Sequence, residues 1–429
     1  MGEKVVILHF EKTNLTMQYQ THTLSCGLRV ILRHDHSPVI YCGYGINAGS
    51  RDEKPGEEGL AHFCEHVTFK GTARRRSWHI LNCLEKVGGD LNAFTTKEDT
   101  VYYAAILREH LPRAVDLLSD IVFHSTYPQG EIDKEVAVIC DEIESYNDSP
   151  AELIYDEFEN ILFQGHPLGH HILGNATVVR QLTTADALRW VRQFYQPENM
   201  VFFAYGDINF DSLVRLLEKA TAEFPAATPC LPDEGLAENI TLSNLGYSGI
   251  HERCRETHQA HVMTGNRGYG IHNERRMALY LLNNILGGPG MNARLNLSLR
   301  ERRGLVYTVE STMVNYSDTG AWSVYFGCDH HDVQKCLRLV RHELDRVMSQ
   351  PLTLQQLLAA KRQLKGQIGV SCDARESFAL GFGKSFLHYG WERDIEKLYA
   401  SVDAVTATQI QQVAQEIFSP ETMMTLIYQ

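Results

Sequence analysis

Three residues with metal and proton chemistry fall within one pentapeptide, His62-Phe63-Cys64-Glu65-His66. On a helix, positions i and i+4 share a face and i+3 lies beside them. Two imidazoles can then grip one ion while a carboxylate stands next to it without ligating. This is the pattern H-x-x-E-H, the inverted form of the H-E-x-x-H zinc motif. A helix with two partly exposed histidines would look the same, so the chain must also supply a third ligand.

Three protein ligands plus a water are usual at a catalytic zinc. The third candidate lies in Glu131 to Tyr146, a strongly helical stretch. Glu135 and Glu142 are seven apart there and share a face two turns separated. Glu142 is assigned as ligand, with Glu135 nearby to orient a histidine. Asp141 and Glu144 are rivals on spacing alone. Two imidazoles and a carboxylate suit zinc better than magnesium or calcium. Zinc would lower the pKa of its water to about 7 and polarise a scissile carbonyl. Glu65 would take the water's proton and deliver it to the leaving amine. Cys64, at i+2 from His62, points away from that face.

These residues need elements to hold them, and the chain repeats its elements. Leu84 to Gly89 resembles Leu282 to Gly288. The apolar segment Thr100 to Ala105 leads into a helical pattern at Leu111 to Val122, as Gly320 to Tyr325 leads into one at Val333 to Val347. Phe194-Tyr195-Gln196-Pro197-Glu198-Asn199-Met200-Val201 parallels Ile417-Phe418-Ser419-Pro420-Glu421-Thr422-Met423-Met424. In both, a helix stops before a proline and a strand follows. The pattern predicts two similar units, 1–215 with the H-x-x-E-H motif and 246–429. A linker over 216–245 is marked by Pro225, Pro229, Pro232 and Gly235. Strands and helices mix without regular alternation, which predicts α+β with mainly antiparallel sheets.

The 429 residues are 44% hydrophobic and 22% charged, a globular composition. The net charge of −13 argues against nucleic acid as the main partner. Arg74-Arg75-Arg76 is too short to overturn that. No stretch approaches the roughly 20 apolar residues that span a bilayer, and Val5 to Leu8 is too short for a leader. Ten cysteines without a C-x-x-C pair suit a reducing compartment, so the expectation is cytoplasmic. Gly381-Phe382-Gly383-Lys384-Ser385 echoes a phosphate loop, but Phe378 stands where the first glycine is needed. His166, His170 and His171 read as structural histidines of a loop, with a second metal site as the alternative.

With Val67 to Thr72 following it, the His62–His66 segment resembles the M16 metallopeptidases, which include pitrilysin, insulin-degrading enzyme and mitochondrial processing peptidase. Val138 to Glu142 resembles their third-ligand region, and Glu135 their additional helix glutamate. Seventy-five residues lie between His66 and Glu142, close to the family spacing. Asn92-Ala93-Phe94-Thr95 resembles the edge strand on which substrate backbone pairs. Gly287 to Leu295 is similar to a glycine-rich turn, with Pro289 and Asn292 departing from the usual small residues. Arg300 to Tyr307 resembles an Arg/Tyr segment that contacts substrate near the metal. Cys64 stands where an apolar residue is usual.

The resemblance covers nearly the whole chain and implies two similar domains, each an antiparallel sheet flanked by helices (the M16 peptidase, or LuxS-like metallohydrolase, fold). It implies one zinc per chain and endopeptidase action on peptides or unfolded segments. The length matches the short-chain class, whose members pair to close a chamber, as a homodimer or with a related chain. It further implies that Asn92, Ala93 and Phe94 pair with substrate, and that Arg300 and Tyr307 act on substrate at the partner's zinc. Two other readings stay open: a non-catalytic core or assembly subunit, as the family also contains, and a maturation protease dedicated to one peptide.

Overall fold

The computed structural model describes residues 19–227, 247–255 and 257–429. The first half runs β1 (Tyr19–Thr23), β2 (Arg29–His34), β3 (Val39–Ile46), α1 (Leu60–Thr68), α2 (Ser77–Glu85), β4 (Asp90–Thr95), β5 (Thr100–Leu107), α3 (Leu111–His124), α4 (Gln129–Asn147), α5 (Pro150–Leu162), α6 (Ala176–Val179), α7 (Thr184–Phe194), β6 (Met200–Gly206) and α8 (Phe210–Ala220). The second runs β7 (Gly249–Arg253), β8 (Ala260–Gly268), α9 (Arg276–Gly287), a π-helical segment Asn296–Glu301, β9 (Val306–Asn315), β10 (Gly320–Cys328), α10 (Val333–Ser349), α11 (Leu354–Ser371), α12 (Arg375–Tyr389), α13 (Ile395–Ala404), α14 (Ala407–Ile417) and β11 (Met424–Tyr428).

Two sheets result, with strand orders β1-β2-β6-β3-β5-β4 and β7-β11-β8-β10-β9. Leaving out β1, the second order repeats the first. The pairs β2·β6 and β7·β11 are parallel and all others antiparallel. The fold is therefore a mixed α+β duplication. β4 and β9 end their sheets on equivalent edges.

The equivalences refine the sequence reading. α9 occupies the place of α1, and the π-helical segment that of α2. The likeness of Leu84–Gly89 to Leu282–Gly288 thus joins the ends of non-equivalent helices. The shared helix–strand ending does map onto α7–β6 and α14–β11. α8 runs across the 215/216 boundary drawn from the sequence. Pro229, Pro232 and Gly235 of the expected linker lie outside the described residues, as does the apolar run Val5 to Leu8.

Neither half covers its own sheet on both faces. The inner face of the first sheet packs on α1, α3 and α7 through Tyr44, Tyr102 and Phe202. Its outer face presents Ile31, Val101, Phe203 and Tyr205 to a core that includes Phe378 and Phe382 of α12, from the second half. Conversely α5, from the first half, lays Leu153, Ile154 and Phe158 on the outer face of the second sheet, against Met263, Leu426 and Tyr428. The halves exchange a helix. The segment Gly381–Ser385 belongs to this contact. It lies inside α12, where a Cβ at Gly383 would sit 2.8 Å from the Phe203 ring. Glycine there permits close helix-on-sheet approach. Lys384 Nζ meets the fully buried Asp99 at 3.0 Å.

Candidate metal centre

α1 owes its place to the side it buries. Leu60, Ala61, Phe63, Cys64 and Val67 are fully buried in the first core. That fixes the opposite stripe, His62, Glu65 and His66, toward β4 and α4. The N-terminus of α1 is fastened as well. Gly59 takes the left-handed conformation (φ 97°), and a Cβ there would come within 2.8 Å of the Leu173 carbonyl. Glu53 accepts hydrogen bonds from the amides of Gly59 (2.9 Å) and Ala61 (2.8 Å), satisfying donors a helix start leaves free. Its Oε2 also lies 3.0 Å from His170 Nε2.

α4 crosses α1 and supplies carboxylates. His62, His66 and Glu142 each offer one ligand atom, and the three atoms lie within 4.8 Å of one another. Glu142 Oε2 is 3.2 Å from His66 Nε2, and Oε1 is 3.8 Å from His62 Nε2. Asp141 and Glu144 are not members of this cluster. Glu135, one face and two turns earlier, accepts at 3.0 Å from His66 Nδ1. Its other oxygen is 2.5 Å from Lys70 Nζ. His66 therefore presents Nε2 to the cluster with its ring oriented from behind.

The electrostatics around the pair are asymmetric. Burial, with a smaller effect from His66, lowers the His62 pKa and favours its neutral imidazole. Burial works in the same direction on His66, but Glu135, Glu142 and Glu65 outweigh it and raise that pKa to about 9. Three carboxylates thus favour positive charge at His66. A neutral imidazole, a second imidazole in an anionic surround and a half-exposed carboxylate make a donor set that fits zinc.

Glu65 is 9% exposed and outside the ligand cluster. Burial raises its pKa, and one hydrogen bond opposes the rise: Thr95 Oγ1 donates to Glu65 Oε2 at 2.7 Å. Thr95 ends β4, whose Asp90–Thr95 backbone pairs with β5 on one side only. Asn92, Ala93 and Phe94 therefore lie on a sheet edge beside Glu65. This arrangement can orient a peptide along β4, remove a proton at Glu65 and hold a cation at His62, His66 and Glu142.

Arg300 and Tyr307 are elsewhere in the chain's own surface. They line a groove of about 490 Å³ between α9, α11 and β9, the second half's counterpart of the α1–α4–β4 site. Asn283, Asn284 and Gln367 also face this groove. Arg300 lies over the Tyr307 ring at 5.7 Å, and Tyr307 is 80% exposed. His166, His170 and His171 each face a different carboxylate, those of Asp318, Glu53 and Asp156. They share no donor cluster among the described residues. A further trio, Asp329, His331 and Asp332, lies at the surface, with Lys335 3.6 Å from Asp332. Among the described residues no helix is long and apolar enough to cross a membrane.

Sequence reasoning placed Thr95 on the edge strand but missed its bond to Glu65, and it missed the parts played by Lys70 and Glu53. Lys70 is one turn beyond His66, a spacing that could have suggested contact with the same α4 carboxylate. Thr95 follows the Asn92–Phe94 stretch directly. Nothing local marks Glu53 as a cap for a helix that starts at residue 60.

The chain is similar to known proteins along nearly its whole length. Residues 29–176 match the family model described as "Insulinase (Peptidase family M16)", and residues 181–364 that described as "Peptidase M16 inactive domain". An uncharacterized zinc protease of Streptomyces coelicolor is 34% identical over 94% of this chain and 88% of its own. One from Bacillus subtilis is 31% identical over 95% of this chain and 97% of its own. A crystal structure of a protease from Helicobacter pylori superposes with a TM-score of 0.85 at 20% identity, covering 96% of this chain and 99% of that one.

Proposed function

We propose that this chain, which belongs to the M16 (insulinase) peptidase family, is a zinc-dependent endopeptidase acting on peptides and unfolded segments. The observation that carries the reading is the convergence of His62, His66 and Glu142 beside a buried Glu65 and the free edge of β4. Those three residues would hold the zinc, which when bound supplies a Lewis acid for the scissile carbonyl and a water of lowered pKa. The substrate backbone adds to β4 at Asn92, Ala93 and Phe94, so affinity comes from main-chain bonds with little sequence demand. Glu65, steadied by Thr95, accepts the attacking water's proton and returns it to the leaving amine. Glu135, backed by Lys70, keeps His66 in the orientation that offers Nε2.

The second groove supports the proposed assembly. Arg300 and Tyr307 do not line the Glu65–His66 pocket of their own chain. They are proposed to reach the substrate at a partner chain's metal, in a homodimer or a pair with a related chain. Arg300 would donate to the peptide, and Tyr307 to the oxyanion developing on the scissile carbonyl.

Glu65→Gln should retain about one zinc per chain and lose activity by several orders of magnitude, since an amide cannot accept the proton. His66→Ala should lose the zinc. Metal analysis of both variants, with digestion of a mixed peptide library read by mass spectrometry, checks this. Full activity in Glu65→Gln, or full zinc in His66→Ala, defeats the assignment.

A further inference from the structure

The turn that joins β4 to β5 is Thr96-Lys97-Glu98-Asp99, with three charged residues in a row. Such turns ordinarily face water. Here Lys97, Glu98 and Asp99 are 3%, 5% and 0% exposed. Each is held by a different part of the chain. Lys97 donates to the carbonyl of His170 and to Asn160 of α5. Asp99 faces Lys384 and His388 of α12. Glu98 Oε1 accepts from the Ser317 amide at 3.0 Å and from the Ser317 hydroxyl at 2.7 Å, in the turn between β9 and β10. It also pairs with Arg51, whose guanidinium forks across to Asp318 Oδ2 at 2.7 Å. Ser317, Asp318 and α12 all belong to the second half. The backbone is fastened too. The amides of Ser50 and Arg51 donate to the carbonyls of Thr96 (3.1 Å) and Lys97 (2.9 Å).

β4 has a sheet neighbour on one side only. Its position at the Thr95 end therefore depends on what holds this turn. Thr95 precedes the turn directly and donates to Glu65 at 2.7 Å. Ser317, Glu98, the turn backbone, Thr95 and Glu65 thus form one continuous line from the second half to the candidate base. Glu98 sits within it, closed to water and bonded across the halves. Neither Glu98 nor Arg51 lines the Glu65–His66 pocket. Resting on the endopeptidase reading above, we infer that Glu98 and Arg51 are positioning residues for the proton-transfer step. By locking the turn to Ser317 and Asp318, they hold Thr95 where its hydroxyl meets Glu65. The second half thereby sets the geometry of a base that lies in the first.

A double-mutant cycle in the zinc-loaded full chain tests this. Glu98→Gln keeps the size of the side chain and one acceptor oxygen, and removes the charge that Arg51 and Ser317 meet. On a peptide from the mixed library that the wild type cleaves, kcat should fall roughly tenfold, because the turn acts through one hydrogen bond to a charged acceptor. Zinc content should be unchanged. In a Thr95→Val background that bond is already gone, so the same substitution should lower kcat by less than about twofold. Arg51→Lys, which keeps the charge but loses the fork to Asp318, should show the same coupling. So should the smaller change Ser317→Ala, which carries the test if Glu98→Gln does not fold. Hydrogen exchange read by mass spectrometry should be faster over Asp90–Thr95 in the variants and unaltered in β2 and β6. Wild-type kcat in all three variants, an equal loss in both backgrounds (the mark of a role in folding alone) or unaltered exchange over β4 overturns the inference. If the wild type cleaves no peptide, it is the endopeptidase reading that fails, and exchange over β4 still decides whether the turn positions that strand.

Discussion

At the residue scale, the candidate base depends on a group the H-x-x-E-H pattern does not contain. Glu65 carries one hydrogen bond to a side chain, from Thr95 at 2.7 Å. A hydrogen bond to a charged acceptor contributes about 1.5–3 kcal/mol. Thr95→Val keeps the shape and removes the donor. The expected outcome is a kcat roughly ten- to a hundredfold lower, the kinetic equivalent of that energy. KM and zinc content should be nearly unchanged, because Thr95 touches neither ligand nor the β4 edge bonds. Thr95→Ser should restore most of the rate. A Thr95→Val chain with wild-type kcat would show that Glu65 is positioned by α1 alone. The same logic explains why the motif residues were readable and the bond from Thr95 to Glu65 was not. His62, Glu65 and His66 are related by helix geometry, which spacing encodes. Thr95 meets Glu65 across thirty residues, which only the packing of β4 on α1 decides.

At the element scale, strands and helices were largely legible and their partners were not. Proline stops and apolar runs locate β6 and β11, and their parallel pairing with β2 and β7 closes each sheet. The duplicated strand order follows from two copies of one pattern. The helix exchange does not, because an amphipathic stripe shows that a helix will be covered without showing by which sheet. α12 spreads its apolar residues over more than half its circumference, not along one narrow stripe, with Phe378, Ala379, Phe382 and Leu387 buried. Such a helix is read as sandwiched between other elements, and here it is sandwiched between halves. A consequence is that the first half is not an independent domain. A chain ending at residue 227 would bare Ile31, Val101, Phe203 and Tyr205, all now buried. At about 1.5–3 kcal/mol for each large apolar side chain, that is about 6–12 kcal/mol. A typical domain's whole stability is about 5–15 kcal/mol. The truncated chain should therefore bind a hydrophobic dye, lack a cooperative thermal transition and retain little zinc, although it contains His62, His66 and Glu142. A sharply melting, zinc-loaded 1–227 fragment would refute the interdependence. Mixing it with a separately expressed 228–429 fragment should restore both properties.

At the scale of the whole molecule, the two equivalent grooves are lined by different chemistry, and the proposed assembly would bring them together. The groove of α1, α4 and β4 holds His62, His66 and Glu142 with Glu65 beside them. Its counterpart at α9, α11 and β9 has asparagines and a glutamine, together with Arg300 and Tyr307. A tyrosine 80% exposed on its own chain contributes nothing to that chain's core. Its exposure is what a residue reaching toward another surface requires. The two-chain arrangement predicts intragenic complementation. His66→Ala chains lack metal but keep Tyr307, and Tyr307→Phe chains keep metal but lack the hydroxyl. Each homodimer should be impaired, His66→Ala completely and Tyr307→Phe by about 10²–10³ in kcat, as for loss of one oxyanion donor. After the two are dissociated, mixed and reassociated, each mixed dimer holds one site with both His66 and Tyr307 intact. With equal mixing, half of the dimers are mixed, so about a quarter of wild-type activity per chain should return. Native mass spectrometry of mass-tagged chains measures how many mixed dimers form. Mixed dimers present in that proportion, with activity no greater than the mean of the parents, would place Tyr307 outside the partner's site.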